Sequence, residues 1–161
     1  MSFLSLTTDR VTTAYPEQPL IVAPDATIAT VLQLMKTQRS GNVLVCEDGP
    51  GGGGPECQVL GIFTERDAMK CMAEGADLAG PVSGVMTADP TVVGAKTTVG
   101  EAIELMAQHG FRHLPIVDAS GAPTGVAAVR GIVHYLVDHF PNTIYTLPPD
   151  PGKSPQSREG A

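Results

Sequence analysis

The chain of 161 residues has no tryptophan, and only 4% of it is aromatic. A core built from it must be aliphatic, packed by valine, isoleucine, leucine and methionine. Lysine and arginine number 10 against 17 aspartates and glutamates, for a formal charge of -7. That shortage of positive charge argues against a nucleic-acid partner, which needs a basic face to neutralise phosphates. A small anion is still allowed, because the field inside a pocket differs from the net charge. Only three cysteines occur, Cys46, Cys57 and Cys71, with no CxxC spacing. They are expected to be reduced thiols in a cytoplasmic protein rather than a disulfide framework. No run approaches the about 18 apolar residues of a membrane span. The start, MSFLSLTTDR, lacks the basic and long apolar parts of a signal peptide, so no membrane partner is expected. With 42% hydrophobic residues, a chain of this size can bury roughly 70% of its unfolded surface.

What the sequence does contain is itself, twice. PLIVAPDATIATVLQLM (19–35) falls on PTVVGAKTTVGEAIELM (90–106), a shift of 71 residues. Between 19–47 and 90–118 the identities are few: Pro19/Pro90, Val22/Val93, Thr27/Thr98, Leu34/Leu105 and Met35/Met106. The pattern matches better, with Ile21/Val92, Ile28/Val99, Leu32/Ile103, Val43/Leu114, Val45/Ile116 and Glu47/Asp118 exchanging like for like. After residue 48 the shift falls to 64, because the first copy carries a longer loop. Such repeats set the architecture.

Each copy reads alike. LIVA and TVVG are β-branched and predict a strand. Ile28, Val31, Leu32 and Met35 recur at i, i+3, i+4, i+7, as do Val99, Ala102, Ile103 and Met106, which predicts a helix. Thr27 and Thr98 suit its N-cap, and Gly41 and Gly110 its end. Two apolar strands follow, NVLVC and VLGIF in one copy and LPIV and GVAAV in the other, then a second helix. The order is β-α-β-β-α, an α/β (α+β) layer unit. One unit leaves a sheet face uncovered, and two can cover each other.

The boundaries follow: a lead-in at 1–15, a first unit at 16–76, a linker at 77–85, a second unit at 86–142 and a Pro-, Gly- and Ser-rich tail at 143–161, expected to be disordered. DGPGGGGPE (48–56) looks like a phosphate loop, but a P-loop needs GK[ST] opening a helix. Here a strand follows, so the stretch reads as a hairpin tip.

MTADP (86–90), the two β-α-β-β-α copies, GFRHLPIVD (110–118) and GIFTERD (61–67) together resemble the cystathionine-β-synthase (CBS) domain family. The resemblance covers about residues 16–142 and is to a tandem pair, the Bateman module. It implies two pseudo-symmetric units packed sheet to sheet, with two clefts between them. One or both clefts of such modules commonly bind adenine nucleotides or related adenosyl ligands, and the module regulates another protein.

GIFTERD holds Thr64 and Asp67, where the second copy, GVAAVRG, has Ala128 and Gly131. One ionised carboxylate can accept both hydroxyls of a ribose, in bonds of the stronger, charge-assisted kind. The N–H groups and dipole at the turn from Phe63 to Glu65 favour an anion, and Arg66 is a candidate phosphate contact. Yet T-x-x-D before a helix is also close to a capping box, worth about 1 kcal/mol with no ligand at all. Both can hold. The resemblance further implies that Asp67 faces Phe111, Arg112 and His113 of the other copy, an aromatic wall and two phosphate contacts, with Pro90, Thr91 and Val92 near the adenine. The opposite cleft would combine Ala128 and Gly131 with Ser40, Gly41 and Asn42, with no charge and no aromatic. That makes a one-site module, in which Asp67→Ala abolishes binding with little loss of fold and Gly131→Asp changes little.

Plainer readings stand beside these. Phe111 suits a core position, and Arg112 a solvated surface. His109 and His113 are separated by the helix-ending Gly110 and have no evident third ligand, so no metal is expected. No Ser-His-Asp order and no carboxylate pair in a pocket points to an enzyme. The expected function is a stand-alone regulatory module binding one adenosyl ligand (AMP, ADP or ATP, with S-adenosylmethionine as a further candidate). It would pack as a homodimer through the helices at 65–73 and 129–139 and act on an unidentified regulated protein. The alternative is an interaction or scaffold unit with a vestigial nucleotide site.

Overall fold

The computed structural model describes residues 3–47 and 57–139. The Gly-rich stretch 48–56 and the tail 143–161 lie outside the described residues. The chain opens with a short helix, α1 (Phe3–Thr8), and a 3-10 turn at Val11–Thr13. The first unit is β1 (Ile21–Val22), α2 (Ile28–Gln38), β2 (Asn42–Glu47), β3 (Gln58–Thr64) and α3 (Glu65–Glu74). A 3-10 turn at Val82–Gly84 and a two-residue strand, β4 (Thr87–Ala88), lead into the second unit. That unit is β5 (Val93–Gly94), α4 (Val99–His109), β6 (His113–Val117), β7 (Pro123–Ala128) and α5 (Val129–His139).

The predicted N-caps are in place. The Thr27 hydroxyl accepts from the Thr30 amide at 3.1 Å. Thr98 goes further, forming a reciprocal box in which the Glu101 carboxylate accepts from the Thr98 amide at 2.9 Å. Gly110 ends α4 in the left-handed conformation, φ 71°. The matching turn of α2 falls on Arg39, φ 51°, and not on Gly41. The Arg39 amide reaches the carbonyls of Met35 and Lys36, and these bonds offset the roughly 1–2 kcal/mol of a non-glycine left-handed residue. Gly41 is small for a different reason, because a Cβ there would lie 3.1 Å from Glu65 Oε1.

β2 and β3 form an antiparallel hairpin with β1 parallel to β2, and β5, β6 and β7 repeat this arrangement. The repeat holds in detail. The hairpin irregularity at Val45/Cys46 recurs at Ile116/Val117. Glu65 N–H donates to the Gly41 carbonyl as Val129 N–H donates to that of Arg112, at 3.1 and 3.0 Å.

Strand periodicity divides the cores. Val43, Val45 and Phe63 point to the helices, packing with Ile28, Val31, Met35 and Cys71. Leu44, Cys46 and Ile62 point the other way and meet Val126 of the second sheet. This is why β2 is buried on both faces. Burying Leu44, Ile62 and Val126 contributes about 1.5–3 kcal/mol each, and it joins the two units sheet to sheet. All three cysteines are buried, Cys46 and Cys57 in this shared layer.

The segment ahead of each unit packs on the other unit. β4 extends the first sheet alongside β3, pairing Thr87 with Ile62 and Ala88 with Gly61. Val82 is completely buried in the first unit's core. Reciprocally, Glu17 exchanges two main-chain bonds with Val126 of β7, at 2.8 and 2.9 Å, and Val11 and Ala14 are buried in the second unit's core. Each hairpin otherwise ends in an unpaired strand edge, and the crossed segments cover both. Among the described residues, no helix is long and apolar enough to cross a membrane.

Candidate functional site

Phe63 is fully buried and anchors the end of β3, so the chain leaves the sheet at Thr64 and turns at once into α3. Thr64 is extended, φ -116° and ψ 171°, and caps the helix. The capping box is formed: Thr64 N–H donates to Asp67 Oδ2 at 2.9 Å, and Asp67 N–H donates to the Thr64 hydroxyl at 3.4 Å. The Thr64 hydroxyl also lies 3.2 Å from Asp67 Oδ2. A further group is added from outside the motif. The Thr87 hydroxyl, on β4, donates to Asp67 Oδ1 at 3.2 Å and approaches Oδ2 at 3.4 Å.

Three amides at the helix start are therefore engaged. Thr64 N–H serves Asp67, Glu65 N–H serves the Gly41 carbonyl, and Asp67 N–H serves Thr64. The sequence reading had the amides between Phe63 and Glu65 open to an anion. The capping box and the strand turn use those of Thr64 and Glu65 instead, and Glu65 and Asp67 place two carboxylates where the helix dipole would favour a phosphate. Arg66 and Arg112 are exposed and remain the cationic side chains of the set.

His113 opens β6 and reaches the start of α3. A Cβ at Gly41 would stand 3.1 Å from Glu65 Oε1 and 3.7 Å from His113 Nε2, so the imidazole and the Glu65 carboxylate gather around this glycine. Burial lowers the His113 pKa, and Arg112 adds to this, while Glu17 and Glu65 pull the other way. The neutral ring is favoured. Phe111 turns back toward the second unit's own core and stacks on His109 at 5.3 Å. His109 and His113 thus have separate neighbours. Among the described residues, no group of three or more His, Cys, Asp or Glu side chains is placed to hold a metal ion. Pro90 is half-buried and Thr91 and Val92 are exposed, in the stretch between β4 and β5. Val92 also borders a shallow groove with Val93, Thr97, Glu101, Leu105 and Gln108, and none of the residues around Asp67 lines it.

At the pseudo-symmetric place, the start of α5, the arrangement differs. A Cβ on Gly131 would meet the Tyr15 carbonyl oxygen at 2.6 Å and that of Ala14 at 3.0 Å. Main chain from the lead-in occupies the space where a side chain would be. The expectation that Gly131→Asp changes little is therefore overturned, since backbone has no flexible end to move aside. Nor is this side without charge or aromatic, as the sequence implied. Tyr15, with φ 50°, lies against α5, its ring 4.8 Å from that of His134 and its hydroxyl donating to Asp138 Oδ2 at 2.7 Å. Glu17 accepts from Asn42 Nδ2 at 3.0 Å, and Asn42 is only 2% exposed. Ser40 donates to the Asn42 carbonyl at 2.9 Å.

Thr87, Tyr15 and Glu17 are the residues that motif reading missed. Tyr15 and Glu17 lie in or beside the lead-in, where no pattern signals a site. Gly131, inside a helical pattern, did carry a signal: such a glycine commonly marks a close approach of other chain.

The CBS domain family model matches residues 8–74 and again 82–138. An uncharacterized 17.7 kDa protein of Acidianus ambivalens is 35% identical over 118 residues, covering 73% of this chain and 67% of its own. The solved structure of a CBS domain protein from Pyrobaculum aerophilum complexed with AMP superposes with a TM-score of 0.68 at 25% identity, over 80% of this chain and 98% of that one. The CBS domain pair of protein MJ0100, in complex with 5'-methylthioadenosine and S-adenosyl-L-methionine, gives a TM-score of 0.68 at 16% identity, over 79% and 98%. Two matched units, crossed lead-ins and a shared inter-sheet core have one common explanation: the chain belongs to the CBS domain family and is a CBS domain pair.

Proposed function

We propose that this pair binds an adenosyl ligand in one cleft, at the start of α3, and that occupancy is read by a partner protein. The supporting observation is the asymmetry of the two helix starts. Asp67 offers a carboxylate whose Oδ1 has, among the described residues, the Thr87 hydroxyl as its one hydrogen-bond partner, so an acceptor remains for a ribose diol. Gly131 offers none, and main chain fills its place. The residues fit the sugar better than the phosphates. With the amides of Thr64, Glu65 and Asp67 engaged, a phosphate would rely chiefly on Arg66 and Arg112, with Glu65 nearby. AMP and S-adenosylmethionine, bound by the two related pairs, both carry the ribose. The reading assigns ligand binding, and no catalytic step, to these residues.

A second copy of the chain would pack on α3 and α5, which expose Met69, Met72, Val133 and Val137. A ligand that prefers one arrangement of the units shifts the population toward it, and one without preference shifts nothing.

Isothermal titration with AMP, ADP, ATP and S-adenosylmethionine tests the proposal. About one site per chain is expected for at least one of them, and none for Asp67→Ala. That variant loses the capping box, about 1 kcal/mol, and keeps its helical circular dichroism. Equal binding by Asp67→Ala and the parent would sink the assignment. The other reading, a scaffold with a vestigial site, has its own support, because Thr64 and Thr87 already satisfy Asp67 without a ligand. Absence of heat with all four ligands favours it.

A further inference from the structure

The Asp67 carboxylate is held from two directions. Its Oδ2 accepts from the Thr64 amide at 2.9 Å and from the Thr64 hydroxyl at 3.2 Å, both within the cap. Among the described residues its Oδ1 has one hydrogen-bond partner, the Thr87 hydroxyl at 3.2 Å, which also approaches Oδ2 at 3.4 Å. Cap formation needs only Oδ2. The terminal torsion of an aspartate is broad and soft, so with the cap alone the carboxylate plane can swing about Oδ2. A vicinal diol presents two hydroxyls at a fixed separation, and a carboxylate already held in one plane meets it with less loss of torsional freedom. Thr87 supplies the second point that defines this plane.

We propose that Thr87 is a positioning residue for a vicinal diol on Asp67, setting Oδ1 so that the ligand meets an already ordered acceptor. This rests on the ribose reading given above. The second unit supports it by contrast. There Pro16 and Glu17 run beside β7, where β4 runs beside β3 in the first unit, and Gly131 stands at the Asp67 position. Hydroxyl and carboxylate are absent together, and Glu17 turns instead to Asn42. Thr87 itself is exposed at a sheet edge. Its hydroxyl can be removed in Thr87→Val with shape and β-branching kept, and the variant is expected to keep the helical circular dichroism of the parent.

The test is calorimetric titration of the full chain with AMP and with 2'-deoxy-AMP, on the parent, Thr87→Val, Thr87→Ser and Asp67→Ala. Thr87→Val is expected to weaken AMP about five- to tenfold, the scale of one hydrogen bond. Thr87→Ser restores the parent value. The Thr87→Val penalty on 2'-deoxy-AMP falls below about twofold, because a single hydroxyl does not need the fixed plane; this coupling is what a purely structural role would not show. Unchanged AMP affinity in Thr87→Val, with binding lost in Asp67→Ala, overturns the role of Thr87 and leaves the ribose reading standing. Equal weakening of both ligands also overturns it. No AMP binding by the parent overturns the role of Thr87, and no binding of AMP, ADP, ATP or S-adenosylmethionine, or full AMP binding by Asp67→Ala, overturns both.

Discussion

At the start of α3 a carboxylate fills the space that main chain fills at the start of α5. The first helix follows Thr64-Glu65-Arg66-Asp67 and closes a capping box under the Thr87 hydroxyl. The second follows Ala128-Val129-Arg130-Gly131 and is closed by the carbonyls of Ala14 and Tyr15. The backbone frame is the same in both, down to the amide at each helix start that donates to the residue before the second strand. Duplicate units thus preserve the frame while one carries a hydrogen-bonded carboxylate at this place and the other holds the lead-in there. Gly131 records a packing requirement as well as a missing handle.

The comparison breaks most sharply at Gly131. Gly131→Asp is expected to cost about 2–3 kcal/mol through overpacking, read as a lower urea midpoint at unchanged m-value, and Gly131→Ala to lose stability in the same direction. Parent-like stability for both would remove the close approach from the account. Next in size is the bond from Glu17, which is paired with Val126 of β7, to Asn42 of β2. Glu17→Ala leaves the amide of buried Asn42 without its acceptor, about 1–2 kcal/mol, whereas Glu17→Gln keeps an acceptor oxygen and most of the stability. If the two variants melt together, the Glu17–Asn42 bond contributes nothing.

The caps of the paired helices α2 and α4 sharpen the comparison at lower energy. Thr98 works in a reciprocal box with Glu101, while Thr27 accepts one amide and has Thr30 at the third helical position. Thr98→Ala should therefore cost about 1 kcal/mol and Thr27→Ala about half of that, measured side by side by chemical denaturation. The smallest effect is on pH. Asn42 and His113 occupy matching positions at the heads of β2 and β6, and only the histidine titrates. Burial lowers its folded pKa below 6.5, so the unfolded chain binds more protons as pH drops. The stabilisation is complete above about pH 6.5 and is lost as pH falls through the folded value. His113→Asn, which makes the halves alike, should flatten the difference in melting temperature between pH 7.5 and 5.5.

Periodicity carried most of the fold. The i, i+3, i+4, i+7 spacing of Ile28, Val31, Leu32 and Met35 marks the packed face of α2, and Thr27, Thr64 and Thr98 are caps because a threonine before an apolar-periodic run has a local role that distant residues rarely override. Gly41 misled because two different needs, a left-handed turn and a close approach, produce the same residue. The candidate site was only partly legible. Thr64 and Asp67 are three apart in one turn of chain, so their contact is local. Thr87 is 20 residues from Asp67, and Tyr15 is far from the helix it braces.

The amino-acid order alone determined the duplication, the β-α-β-β-α unit and the loss of the Thr/Asp pair from one copy, since all of these are written in short-range patterns and in one internal alignment. Tertiary structure alone decided which lead-in lies on which unit, that Gly131 faces the Tyr15 carbonyl, that Thr87 reaches Asp67, and that Glu17, paired with Val126, also reaches Asn42. The physical reason is that helix and strand periods arise from bonds spanning a few residues. Edge pairing and close backbone approach depend on where two separately formed units come to rest, and no local pattern encodes that position.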